Sequence, residues 1–377
     1  MATVIHREPV LNRQKAITAS RLTVHAATAA EAAETLGLVA DVWPKAHSVF
    51  VGLSGCLPDR DLLAWQPPEN AMVEVPAASL VTPAGNEFLA AAAQANLPLC
   101  LDGYAPGMAL PPAAGFRFLL ADAGTHPRLP RAPGIALAKG LADVKAFAEA
   151  MDNGYAGATG WFFLRGRPMA EKLNPGHAQI VRVLNLVRRN AEVKEIETAL
   201  KQDVALSYKL LRYINSAGFG LSCEIESFRH AVTILGYDKL NKWLSLLLVT
   251  ASRDASAAAL MQTAIARGHL MEVLGKEFFD RSTLDNLFIT GAFSLLDVLL
   301  GVRINAILDE MHLPEPIADA LLKREGAYAP LLDLALACEN DGADIIAAKA
   351  AKLGIGTAAL NHAQLAAVSF ADAIQFN

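Results

Sequence analysis

The first half of the chain alternates short apolar runs with helical stretches. SVFVGLS (48–54), AMVEVP (71–76), LPLCLD (97–102), FRFLLAD (116–122) and GIALAK (134–139) read as buried strands bounded by turn-forming residues. Between and around them, 27–41, 85–96 and 141–153 carry helical spacing. Alternation at this pitch predicts parallel β/α units. After FFLRGRPM the strand signal stops, and residues 175–377 read as helix after helix with Gly and Pro at the joints. EKLNPG has linker chemistry at Glu171–Pro175, which predicts a β/α domain over 1–171 and an all-helical domain over 172–377.

Within the helical half, Asp203 is a good N-cap for a helix with Leu206, Leu210 and Tyr213 on one stripe, ended by Asn215, Ser216 and Gly218. Arg229–Leu235 predicts a short helix closed by Gly236. The apolar run WLSLLLVTAS lies between Lys242 and Arg253 and is too short to span a bilayer. Apolar residues make up 53% of the chain, but much of that is alanine in runs such as FLAAAAQANL, which favour close-packed helices over membrane spans. A net charge of −5 gives no global attraction to nucleic acid or anionic membranes, so neither is expected as a partner. HAVTILGYDKLNKWLSL has the outline of a helix–turn–helix, but its second helix turns apolar where base-reading residues would be needed. The four cysteines form no C-x-x-C, and the N-terminal residues around His6, Arg7 and Glu8 lack a signal-peptide core. These features predict a cytoplasmic protein without disulfides.

The candidate chemistry starts at LCLDGYAPG (99–107), where a strand ends on Asp102 and runs into a Gly/Pro turn. A carboxylate at that end of a strand is a common place for a metal ligand or catalytic acid in α/β enzymes. In the second half, QDVALSYKLLRYINSAGFGL and ESFRHAVTILGYDKLNKW together resemble the HDOD domain, a helical module of bacterial signalling proteins related to HD-type phosphohydrolases. That resemblance implies a helical bundle. It also implies a His-Asp doublet in the metal-dependent relatives, where ITGAFSLLDVLLG has Leu296 before Asp297. LCLDGYAPG resembles the double-aspartate loop of EAL phosphodiesterases, TIM-barrel enzymes that hydrolyse cyclic di-GMP with divalent metals. By that resemblance Glu74, Asp102 and Asp122 are retained acids. The departures are many: no acid near Ser20, Gly52 for an asparagine, Gly103 for the second aspartate, Leu120 for a lysine, and Lys139 and Ala142 for two glutamates.

Two-metal hydrolysis needs several converging carboxylates, so these losses predict a truncated TIM-barrel-like (EAL-like) domain with trimmed or missing β/α units, no metal and no cofactor. The expected function is a non-catalytic signalling scaffold working through protein–protein contacts, and no enzyme. The alternative is a cyclic di-GMP-binding receptor or a residual EAL-type phosphodiesterase. Arg212, Asn215, Ser216 and Arg229 form the candidate face for a ligand or a signalling partner, and homodimerisation stays open. His269 and Glu272 stand at i, i+3, a metal-site spacing, but with no second pair they are expected on an exposed helix face.

Overall fold

The computed structural model describes residues 3–111, 115–129, 131–165, 170–173, 175–201, 225, 227–249 and 257–374. Eight strands close a barrel in sequence order: β1 (Val4–Asn12), β2 (Ile17–His25), β3 (Ser48–Ser54), β4 (Ala71–Pro76), β5 (Leu99–Asp102), β6 (Phe118–Asp122), β7 (Ile135–Lys139) and β8 (Gly157–Thr159). β1 runs antiparallel to both β2 and β8, and every other neighbouring pair is parallel. The five apolar runs of the sequence are β3 to β7. β1, β2 and β8 escape the apolar signal because β1 and β2 interleave His6, Arg7, Glu8 and Arg21 with their hydrophobic positions, and β8 is three residues long.

The expectation of missing β/α units is therefore corrected: all eight strands are present and the ring is closed. The trimming falls on the crossovers. The described α-helices between strands are α1 (Ala29–Gly37), α2 (Pro83–Gln94) and α3 (Val144–Asp152). Closure needs only strand-to-strand hydrogen bonds, so it survives the loss of outer helices. Each of these helices opens on a side-chain cap: Thr28 accepts from Glu31 N–H, Thr82 from Gly85 N–H, and Asp143 from Lys145 and Ala146 N–H.

Val10, Ala19, Phe50, Met72, Cys100, Leu120 and Leu137 fill the barrel as one apolar layer. Side chains alternate along a strand, so the residues two positions further toward the mouth share that inward face. They are Glu8, Arg21, Gly52, Glu74, Asp102, Asp122 and Lys139. An apolar plug thus supports a charged layer at the C-terminal ends of the parallel strands, the end where β/α barrels keep their chemistry.

From α4 (Pro175–Arg188) and α5 (Val193–Lys201) onward the described chain is helical: α6 (Phe228–Val249), α7 (Ala257–Gly275), α8 (Arg281–Phe293), α9 (Leu296–Leu300), α10 (Ile304–Leu308), α11 (Glu315–Leu322), α12 (Ala329–Asn340), α13 (Ala343–Lys352) and α14 (Thr357–Ala373). Gly236, at φ 74°, breaks α6 at the joint read from the sequence. No helix among the described residues is long and apolar enough to cross a membrane.

The chain forms two compact units, Met1–Gly166 with Leu336–Leu365, and Arg167–Ala335 with Ala366–Asn377. Side-chain amides explain why the late segment groups with the barrel. Asn361 Oδ1 accepts from Ile5 N–H at 2.9 Å, its Nδ2 donates to the Thr3 carbonyl at 3.0 Å, and Gln364 Nε2 donates to the Ile5 carbonyl at 3.1 Å. β8 pairs with β1 only from Val10 to Asn12, so these amides satisfy backbone groups that β8 does not reach. Asn361→Ala should therefore destabilise the barrel unit by about 1–3 kcal/mol, the cost of stranding buried backbone polar groups. Urea denaturation followed by tryptophan fluorescence measures this, and an unchanged midpoint would show that the amide is dispensable.

Candidate functional site

The charged layer is organised around Arg21. Its Nε and Nη2 donate to Glu74 Oε1 and Oε2 at 2.7 and 2.9 Å, and its Nη1 donates to Glu8 Oε2 at 2.8 Å. Asp102 Oδ2 lies 3.8 Å from Nη2, while Asp102 Oδ1 is ion-paired with the Lys139 ammonium. The floor of this cluster is closed and its rim is open: the Glu74 side chain is 2% exposed, those of Asp102 and Lys139 24% and 25%. Burial works against the Arg21 charge, but Glu74, Glu8 and Asp102 outweigh it and hold the guanidinium protonated. Burial pushes the Glu74 carboxyl above the usual range, with Arg21 pulling it back. The fork of hydrogen bonds is the geometry that suits arginine and not lysine.

Next along β1 is His6, whose Nε2 is buried without a hydrogen-bond partner. Burial lowers its pKa, Glu8 opposes that, and His25 and Arg21 add to it, so the imidazole is held neutral. Burial also lowers His25 on β2.

Of the three retained acids, Glu74 and Asp102 meet at Arg21. Asp122 does not join them. Its exposed carboxylate accepts from the Thr125 N–H at 2.8 Å and from Thr125 Oγ1 at 3.1 Å, and these bonds, led by the backbone one, lower its pKa. Ser20 points to the other face of β2, where it accepts from Arg7 Nε at 3.4 Å. The inward position beside it belongs to Arg21. Sequence reasoning missed Arg21 and Glu8, although the period-two pattern of ITASRLTVH with Ala19 inward contains the signal.

The donor set does not fit the divalent metals that the EAL resemblance implies. Glu8, Glu74 and Asp102 are already held by a guanidinium or an ammonium, and Asp122 turns away to Thr125. Among the described residues no group of three or more His, Cys, Asp or Glu is placed to hold a metal ion.

In the helical unit, Arg212, Asn215 and Ser216 lie outside the described residues, as does Asp203. Arg229 is exposed and pairs with Glu197 at 3.3 Å. Asp297 accepts from the Val298 N–H at 2.8 Å; burial raises its pKa and Arg267 opposes that. His269 and Glu272 are not on the exposed face expected. His269 Nδ1 is 3.0 Å from Glu272 Oε2, and its ring stacks on Phe370 at 4.0 Å between centroids. Lys242 bonds Glu272 at 2.6 Å and Asp285 at 3.0 Å, so the acids that could serve a metal hold an ammonium. A cleft of about 550 Å³ between α4, α5 and the Glu310–His312 turn is lined by Arg182, Asn185, Arg189, Glu195 and His312.

Gly52 shows how tightly the barrel site is built. A Cβ there would sit 2.5 Å from Glu74 Oε2, inside van der Waals contact. Gly52→Ala should push Glu74 out of its bidentate pairing and lower stability by about 1–3 kcal/mol, the usual cost of overpacking. Calorimetric melting tests this; a Tm equal to the parent's would mean that Glu74 moves freely.

A family model for the HDOD domain matches residues 175–297. The chain is 29% identical over 190 residues to the cyclic di-GMP phosphodiesterase CdgJ of Vibrio cholerae, covering 50% of this chain and 44% of that one. It is 26% identical over 215 residues to the protein YuxH of Bacillus subtilis, covering 56% and 52%. The matches thus span about half the length of these relatives. A crystal structure of a candidate metal-dependent phosphohydrolase from Shewanella amazonensis superposes with a TM-score of 0.37 at 15% identity, over 54% of this chain and 93% of that chain, too loosely to bear on fold or function. The likeness to CdgJ corrects two expectations, the non-catalytic scaffold and the absence of enzyme activity. Both were inferred from missing metal ligands alone, and a relative that carries an enzyme's name removes that ground. What the family match shows directly is narrower: the chain carries an HDOD domain over residues 175–297.

Proposed function

We propose that this chain binds cyclic di-GMP at the charged mouth of its barrel and carries residual phosphodiesterase activity there. The observation that carries the reading is the likeness over half the chain to a relative named for that activity. The EAL-like character of the barrel rests on Glu74 and Asp102 standing at the inward ends of β4 and β5.

The mouth supplies groups suited to a phosphodiester. Lys139 sits at the rim beside Asp102, and both are partly exposed. A ligand phosphate that draws the ammonium onto its oxygens frees the Asp102 carboxylate to take a proton from an attacking water. The water oxygen bonds to phosphorus, the ester bond to one ribose oxygen breaks, that oxygen takes up the proton released through Asp102 to become a hydroxyl, and the ring opens to a linear dinucleotide. Arg21, tied to Glu8 and Glu74, keeps the floor in place and does not move with the ligand.

The test uses the full chain, calorimetric titration with cyclic di-GMP and chromatography for the linear product. The expected result is saturable binding with slow turnover. Lys139→Ala should weaken binding, and Asp102→Asn should lower turnover by roughly 100-fold or more, the usual contribution of a general base. Neither binding nor product from a folded parent chain would sink the proposal.

A further inference from the structure

We infer that Arg21 and Lys139 occupy the cation seats of the barrel mouth, so that the site takes a phosphodiester ligand without a divalent metal. Only the identity of the ligand rests on the function proposed above; the inference about cations stands on the geometry.

Glu8, Glu74 and Asp102 all face one guanidinium, at 2.8, 2.7 and 3.8 Å. With the guanidinium between them, the three carboxylates do not converge on one point as the ligands of a hard divalent cation must. The group between them is a covalent part of β2. A metal could enter only by expelling Arg21 from a bidentate pair with an almost fully buried Glu74, which would bury the guanidinium unpaired or force β2 to shift. The second acid surface is held in the same way, because Lys139 engages Asp102. Gly52 completes the set. Glu74 Oε2 comes within 2.5 Å of where a Cβ would be, so no donor side chain at position 52 can join the carboxylates while Glu74 pairs with Arg21. Gly52, Glu74 and Arg21 therefore fit one another. A metal would need all three changed together.

The charge count fits this reading. Arg21 and Lys139 carry two positive charges against three carboxylates, the neutralisation one divalent ion would bring. Unlike an ion, they are tethered to the chain and act independently of metal supply. Lys139 alone lies at the open rim, so it is the cation a phosphodiester can meet.

Manganese alone is the first probe, followed by its electron paramagnetic resonance signal and by the melting temperature of the full chain. The parent should show neither bound manganese nor a shift in melting. The double variant Arg21→Ala, Lys139→Ala leaves Glu8, Glu74 and Asp102 without their cations and should gain manganese binding with a raised melting temperature. Arg21→Lys, which restores the charge, should stay blind to the metal. Should the double variant fail to fold, Lys139→Ala alone decides: with Arg21 seated it is expected to remain blind, and manganese bound there would overturn the inference. So would manganese bound by the parent and lost in Asp102→Asn, or a folded double variant that gains nothing. The second probe is cyclic di-GMP with either EDTA or manganese present. Affinity should agree within about twofold, since no metal takes part, and loss of binding in EDTA would overturn the inference. Absence of dinucleotide binding under both conditions would instead sink the proposed function and leave the manganese result standing.

Discussion

Inside the barrel mouth a single guanidinium holds carboxylates from three different strands. Glu8 comes from β1, Glu74 from β4 and Asp102 from β5, and they converge on Arg21 of β2. Breaking a buried pair by removing one partner costs about 3–5 kcal/mol, because the other charge is left buried and alone. Glu74 is in that position, so the arrangement ties β2 to β4 although β3 lies between them. A register slip of one residue in either strand would turn a charge into the apolar packing outside the barrel. The apolar plug below, from Val10 to Leu137, fixes the same register from the other side.

Strand pairing closes the ring but leaves part of β1 without a strand partner on one side. β1 is antiparallel to both neighbours, and β8 reaches only its last residues. At the start of that edge the Thr3 and Ile5 backbone groups are satisfied by Asn361 and Gln364, which lie more than three hundred residues away in sequence. Exposed strand edges invite wrong pairing, and covering one with a helix is a common remedy. The consequence is an interrupted unit, in which the last third of the chain contributes one segment to the barrel and the rest to the helical unit.

Both units treat their acids alike. In the barrel, Arg21 and Lys139 take the carboxylates of Glu8, Glu74 and Asp102. In the helical unit Lys242 bridges Glu272 and Asp285 under the ring of Phe288, and His269 leans on Phe370 and Glu272. A tethered cation brings its charge without the entropy cost of capturing an ion, and it fixes side chains that would otherwise repel. The likeness to CdgJ means that missing metal ligands do not by themselves exclude activity.

The sequence by itself determined the class of each half. The five buried runs β3 to β7 and the shift to continuous helix after Pro175 follow from hydrophobic period, which is local information. It also placed Asp102 at the end of a strand, and the break at Gly236. Only the tertiary structure decided which side chains meet. Arg21 was passed over because a charged residue in a strand reads as solvent-facing until the partners that neutralise it are known, and those lie 13, 53 and 81 residues away in Glu8, Glu74 and Asp102. β1 was invisible for the same reason, and β8 because it is only three residues long. Asp122, which the pattern ranks equal to Asp102, turns instead to Thr125. Period fixes which face a residue shares. Closure of the barrel, a long-range event, fixes its neighbours there, and in this protein the neighbours set the charge of the site.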